Sequence, residues 1–200
     1  MPLLSTLQAD KDVVVALWRI TETIEEFRSS LSWLSFPEGE FSLHRPCDAR
    51  LLEKYATHAL SLFVTGSQET ISHLPSGKPV ISRGHISVSH TKGYAAIAYS
   101  PSREVAIDIE YISDRVNRIA HKFLREDEPL TDTFPRLVAW CAKETAYKYF
   151  SSDDLSFTDM RIRPFALRDG GCKVDNLKRD ESLPVTFRLT DDFVLAYGFK

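Results

Sequence analysis

The sequence predicts an α+β fold, and three observations carry the prediction. β-Branched, compact runs are interleaved with amphipathic stretches in the order strand, two helices, strands, then two helices and strands again. That order is not the regular βαβ alternation of a parallel sheet. No linker or break in composition divides the 200 residues, a length that suffices for one large domain or two small ones packed together.

Each element follows from its residues. DVVVALWRI (12–20) is β-branched and reads as a buried strand. In TETIEEFRSSLSWL (21–34), Ile24, Phe27, Leu31 and Leu34 recur at helical spacing, behind Thr21 or Thr23 as cap. FPEGEFSLHRPCD (36–48) reads as a loop. DARLLEKYATHALSLFVTG (48–66) is a strong amphipathic helix between a capping Asp48 and a stopping Gly66. SGKPVISRG (76–84) carries turn residues. ISVS and YAAIAYS then form a hairpin around HTKG. REVAIDIEYI (103–112) is the next strand, DRVNRIAHKFL (114–124) a helix capped by Asp114, and FPRLVAWCAKETAYKYF (134–150) a longer helix. SFTDMRIRPFALR, KVDNL, PVTFRLT and FVLAYGFK read as short antiparallel strands. A loose likeness between the halves falls short of an internal repeat.

Bulk properties exclude several classes. Net charge is −3, which gives no general drive toward nucleic acid or an anionic membrane. The three cysteines (Cys47, Cys141, Cys172) include no CxxC and read as reduced thiols of a cytoplasmic protein. MPLLSTLQADKD lacks the basic start of a signal peptide, and no run is apolar enough for a membrane helix.

The chemistry concentrates in VAIDIE (105–110). Asp108 and Glu110, two apart on a strand, leave one face, while Val105, Ile107 and Ile109 share the other. Two carboxylates on a face that is otherwise buried are costly without positive charge. A divalent cation held by oxygen ligands would supply it, and Mg²⁺ takes one or two carboxylates plus phosphate and water. The alternative is an edge strand with both acids in water. In WCAKETAYK (140–148), Glu144 and Lys148 are one turn apart, and Lys143 lies about 100° round from Glu144. The same residues suit a salt-bridged exposed helix, or a third acid flanked by two phosphate-binding lysines. Lys78 sits in the turn GKP, and Ser89 and His90 close the strand SVSH. The Ser-His neighbours form no hydrolase dyad, because no G-x-S-x-G elbow is present. His90 suits a phosphate contact, or a bond to its own turn.

GKP, SVSH, AIDIE and WCAKETAYK, in that order and at those separations, resemble the 4′-phosphopantetheinyl transferases of the larger, single-chain type. That family reads (V/I)-G-(V/I)-D-x-E on a strand and (F/W)-(S/C/T)-x-K-E-(A/S)-x-x-K on a helix; here these are VAIDIE and WCAKETAYK. KFLREDE (122–128) resembles its intervening F-x-x-x-E segment, and ALWRI with ARLLEKYATHAL its first half. The departures are Ala106 for the signature glycine, Thr145 for alanine or serine, and His58 where an arginine is usual. His58 is a weaker, pH-dependent cation, with Arg50 or Arg45 to share its role.

The resemblance implies two similar α/β halves related by a pseudo-twofold. Residues 1–100 would be the coenzyme A-binding side and 101–200 the half with the metal-binding motifs. Asp108, Glu110 and Glu144 would bind Mg²⁺. Lys143 and Lys148 would contact coenzyme A phosphates. Lys78, Ser89, His90, Arg50 and His58 would line the coenzyme A site. The implied reaction is that of a holo-[acyl-carrier-protein] synthase type enzyme. It moves the 4′-phosphopantetheine arm to a serine of an acyl or peptidyl carrier protein and releases adenosine 3′,5′-bisphosphate. Glu144, Lys148 and Asp108 would be catalytic, with Glu144 as base and Glu110 as the second candidate. Arg115, Arg118, Lys122 and Arg125 recur along one helical side and suit an acidic carrier helix, or a solvated face. The expected state is a cytoplasmic monomer with no nucleic acid or membrane partner. Two rival readings are a non-catalytic relative that binds coenzyme A or a carrier, and a Mg²⁺-dependent phosphohydrolase.

Overall fold

The computed structural model describes residues 3–30 and 48–200. The end of the first predicted helix (31–34), the loop at 36–47, Arg45 and Cys47 lie outside the described residues.

The chain begins with β1 (Leu3–Asp10), which the sequence reading does not contain. It pairs antiparallel with β2 (Val13–Arg19). From Thr6 to Gln8 it is exposed, so no buried face marks it in the sequence; backbone bonds to β2 make it a strand. Helix α1 (Ile24–Ser30) starts with a reciprocal capping box. The Glu26 N–H donates to Thr23 Oγ1 at 3.2 Å, and the Thr23 N–H donates to Glu26 Oε2 at 2.8 Å. Helix α2 (Asp48–Thr65) stops at Gly66, whose φ of 69° lies in the left-handed region. A small hairpin, β3 (Ser72–His73) and β4 (Pro79–Val80), precedes the predicted hairpin of β5 (His85–Thr91) and β6 (Tyr94–Ser100).

Strand β7 (Val105–Tyr111) leads to α3 (Arg115–Phe123) and α4 (Thr133–Tyr149). Asp114 occupies the N-cap of α3 without a side-chain bond; Ser113 Oγ accepts the Arg115 N–H instead. The tail is the predicted antiparallel set: β8 (Met160–Ile162), β9 (Gly171–Asn176), β10 (Glu181–Leu189) and β11 (Phe193–Phe199).

One sheet runs β1-β2-β6-β5 and the other β7-β11-β10-β9-β8. They share a wiring: a strand, two helices, then a hairpin whose second strand pairs with the first strand. This gives β2-β6-β5 and β7-β11-β10. Period-two alternation decides the layers. Val13, Val15 and Leu17 of β2 meet Val105, Ile107 and Ile109 of β7 in a core between the sheets. Ala16 and Trp18 turn the other way, to Phe27, Tyr55 and Leu60 of the helices. Helix α4 covers the outer face of the second sheet with Val138, Ala142 and Ala146. The layers are therefore helix, sheet, sheet, helix.

Edge strands β5 and β7 lie side by side without pairing. Ser87, Ser89 and Thr91 of β5 hold out hydroxyls, which accept the N–H groups of Ile107, Ile109 and Tyr111 at 3.1, 3.2 and 3.1 Å. This ladder joins the two sheets directly beside VAIDIE.

Candidate active site around Asp108, Glu110 and Glu144

Strand β7 aims Ala106, Asp108 and Glu110 toward α4. Ala106 is fully buried, in register with Gly198, so its methyl stands opposite a residue with no side chain. Asp108 is also buried. Its Oδ1 accepts from Lys148 Nζ at 2.7 Å and from Ser89 Oγ at 2.9 Å. Its Oδ2 is enclosed and has no hydrogen-bond partner. A buried carboxylate oxygen without a partner is expensive. Glu110 is half-buried and accepts from Trp140 Nε1 at 2.8 Å. Helix α4 is fixed against β7 by Cys141, whose Sγ lies 3.4 Å from the Asp108 carbonyl oxygen.

Glu144 stands half-buried on the same face of α4 as Lys148. Burial, then the charges of Asp108 and Glu110, push its carboxyl up to about 7, against the pull of Lys148. Burial and Asp108 also raise Glu110, opposed by the Trp140 hydrogen bond. The three acids thus feel one another, and their neighbourhood is short of positive charge. Among the described residues, no group of three or more His, Cys, Asp or Glu side chains is drawn together as a ready ion cage. Lys148 holds Asp108 and Trp140 holds Glu110. The donor chemistry nevertheless fits a hard cation: oxygen ligands, surplus negative charge and one buried oxygen without a bond.

The lysines and the serine differ from expectation. Lys148 donates to the Ile107 carbonyl at 2.9 Å as well as to Asp108, yet still lines a cleft of about 210 Å³ with Glu144, Lys78 and Tyr147. Lys78 pairs with Glu104 at 2.7 Å on that cleft's rim. Lys143 does not reach the cleft. It is fully enclosed and ion-paired with buried Glu128 at 2.7 Å. Its place 100° round the helix from Glu144 turns it to the interior. Ser89 likewise has its hydroxyl committed between Asp108 and the Ile109 N–H, so it orients the acid and does not line an open surface.

Arg50, His58 and His90 come together in a second cleft of about 480 Å³, with Lys54 and His73. His58 is buried, and His90 Nδ1 lies 3.5 Å from Glu53 Oε2. Val88 lines both clefts, so they adjoin. A third cleft of about 390 Å³ is apolar, with Val116, Ile119, Trp140 and Phe157 at its walls and Glu110, Arg115 and Lys122 beside them. Arg115, Arg118 and Lys122 are exposed. Arg125 is instead tied to Asp127 at 2.8 Å and to the Thr158 carbonyl.

Sequence reasoning missed the roles of Glu128, Glu104 and Trp140. Glu128 ends KFLREDE, noted only for its likeness to the F-x-x-x-E segment, and nothing in its spacing announces burial. Glu104, ahead of a strand, carries no signal for Lys78. Trp140 lies in the motif WCAKETAYK, but nothing in its spacing shows that its indole would donate to Glu110.

A sequence model of the 4′-phosphopantetheinyl transferase superfamily matches residues 104–198. The match runs from the residue before β7 to the penultimate residue of β11, and so includes Asp108, Glu110 and Glu144. Comparison with curated proteins finds no match. Among the described residues, no helix is long and apolar enough to cross a membrane.

Proposed function

We propose, from the match of residues 104–198 to the 4′-phosphopantetheinyl transferase superfamily, that the chain moves the phosphopantetheine arm of coenzyme A onto a serine of an apo carrier protein. The observation that carries this reading is the buried, unpartnered Oδ2 of Asp108 beside two carboxyls pushed up by burial. Asp108, Glu110 and Glu144 would hold Mg²⁺. When bound, the ion supplies neutralisation of the charge that develops on the diphosphate as its bond breaks.

This chain's own residues do the rest. The carrier serine oxygen bonds to the phosphorus that bears pantetheine. The bond from that phosphorus to the bridging oxygen breaks, and adenosine 3′,5′-bisphosphate leaves. Glu144, on the helix face that lines the cleft, accepts the serine proton; Glu110 is the second candidate. Lys148 and Lys78 line the cleft beside Glu144 and bring positive charge to the phosphates. Arg50, His58 and His90 suit the 3′-phosphate end in the adjoining cleft. Exposed Arg115, Arg118 and Lys122 suit an acidic carrier helix. The shared wiring of the sheets supports two halves, 1–100 and 101–200, related by a pseudo-twofold. One chain then supplies both sides of the site, as a cytoplasmic monomer.

A second reading rests on the Lys148–Asp108 pair at 2.7 Å, which fills one carboxylate oxygen. A non-catalytic relative that binds coenzyme A or a carrier would keep that pair closed. One experiment separates the readings: mix the protein, coenzyme A, Mg²⁺ and an apo-carrier protein, and measure the carrier's intact mass. Gain of one phosphopantetheine arm is expected. Coenzyme A bound without mass gain overturns transfer in favour of the relative. Coenzyme A breakdown without carrier points to a phosphohydrolase.

A further inference from the structure

Resting on the proposed function, we infer that Glu128 and Lys143 are a positioning pair for the acidic site: they anchor the aromatic clamp on Trp140, and Trp140 holds Glu110. Lys143 Nζ reaches Glu128 Oε2 at 2.7 Å and the carbonyls of Phe123, Met160 and Phe157 at 2.7, 3.0 and 3.5 Å. Glu128 Oε1 accepts the Ile162 N–H at 2.6 Å, and its Oε2 accepts the Arg125 N–H at 2.8 Å. One enclosed ion pair thus fastens the end of α3, the turn after it, the segment before β8, and β8 itself onto α4.

Two of those carbonyls belong to residues whose rings grip Trp140. Phe123 meets the indole edge-on at 5.1 Å, and Phe157 stacks on it at 5.0 Å. The indole N–H donates to Glu110 Oε1. Trp140 is one helical turn before Glu144, and Lys143 is its immediate neighbour. The pair therefore sets both the donor on Glu110 and the seat of Glu144. Apolar residues of equal volume would hold a core at least as well, but would leave two N–H groups and several carbonyls without partners. Neither Glu128 nor Lys143 touches the clefts, so neither is catalytic.

The test uses the full chain with Glu128→Gln, Lys143→Met and the double variant. Transfer is measured with coenzyme A and apo-carrier, alongside NMR of ¹⁵N-labelled tryptophan. The Trp140 indole signal is assigned by its loss in Trp140→Phe, with the Trp18 signal as internal control. A positioning pair predicts kcat lowered about 10- to 100-fold in each single variant, KM for coenzyme A unchanged, and a double variant no worse than the singles. The Trp140 signal shifts while that of Trp18 stays. A raised KM for coenzyme A in Lys143→Met alone would make Lys143 a phosphate contact and overturn the inference. An unmoved Trp140 signal would overturn it as well. Lys143→Met leaves an unpaired buried carboxylate; if it does not fold, Glu128→Gln and the double variant decide. A wild type that transfers nothing sinks the functional reading alone, since the indole signal still reports on the pair.

Discussion

Strands β2 and β7 are wired alike, each followed by two helices and paired with the second strand of a later hairpin, although β2 is flanked on both sides and β7 lies at the edge of its sheet. Toward its helices β2 turns Ala16 and Trp18, whereas β7 turns Ala106, Asp108 and Glu110. The inward faces of the two strands are alike, valine, leucine and isoleucine against one another. The shared face packs the two sheets together, and the face that differs carries the carboxylates on which the proposed chemistry rests. The first half adds its own polarity elsewhere, in the cleft of Arg50, Lys54 and three histidines on α2, β3 and β5. The cleft that Glu144 lines thus adjoins the cleft of Arg50, Lys54 and the histidines at Val88.

The largest expected effect comes from making β7 as inert as β2. Asp108→Asn should lower transfer at least about 10³-fold, the scale of losing a principal electrostatic group. Its thermal unfolding should stay cooperative. Carrier mass-gain rates comparable to wild type would remove Asp108 from the chemistry.

The next effect lies in stability. Glu144 titrates at about 7 when folded and at 4.5 by its ordinary value. Across that window the native state keeps a proton that the unfolded chain has released, so stability falls as pH rises through it. The loss is on the order of 3 kcal/mol at most. Urea unfolding without divalent ions should show wild type weakening from roughly pH 5 to pH 8, with a shallower slope in Glu144→Gln, where Glu110 alone of the two raised carboxyls remains. Equal slopes for the two proteins would show that Glu144 is not under strain. The smallest effect belongs to the other half. Arg50→Ala should raise KM for coenzyme A about tenfold, near 1.4 kcal/mol, with kcat little changed. A fall in kcat alone would blur the division between the halves.

The periodic parts of this fold were legible in the sequence. DVVVALWRI, the α2 stretch and the α4 stretch each show a buried face, and α2 ends at Gly66 as its sequence indicates. Strand β1 was not legible, because an exposed edge strand has no buried alternation to display. Asp108 and Glu110 drew notice because acids two apart on an apolar strand demand an explanation, whereas Glu144 was joined to them by the resemblance and not by spacing. Lys143 was misjudged because helical spacing gives an angle and not the side on which the protein lies. Lysine is rarely enclosed, so its turn to the interior depended on Glu128, a partner 15 residues away in sequence. Ser89 was placed correctly on its strand, but its hydroxyl's target lay across the seam.

The hydroxyl ladder of Ser87, Ser89 and Thr91 has a consequence for the protein's behaviour at high concentration. A bare sheet edge is a template on which other chains add strands and precipitate. Here alternate amides of β7 are already occupied by short side chains that cannot propagate a sheet. The same ladder that closes this edge also includes Ser89, whose hydroxyl holds Asp108.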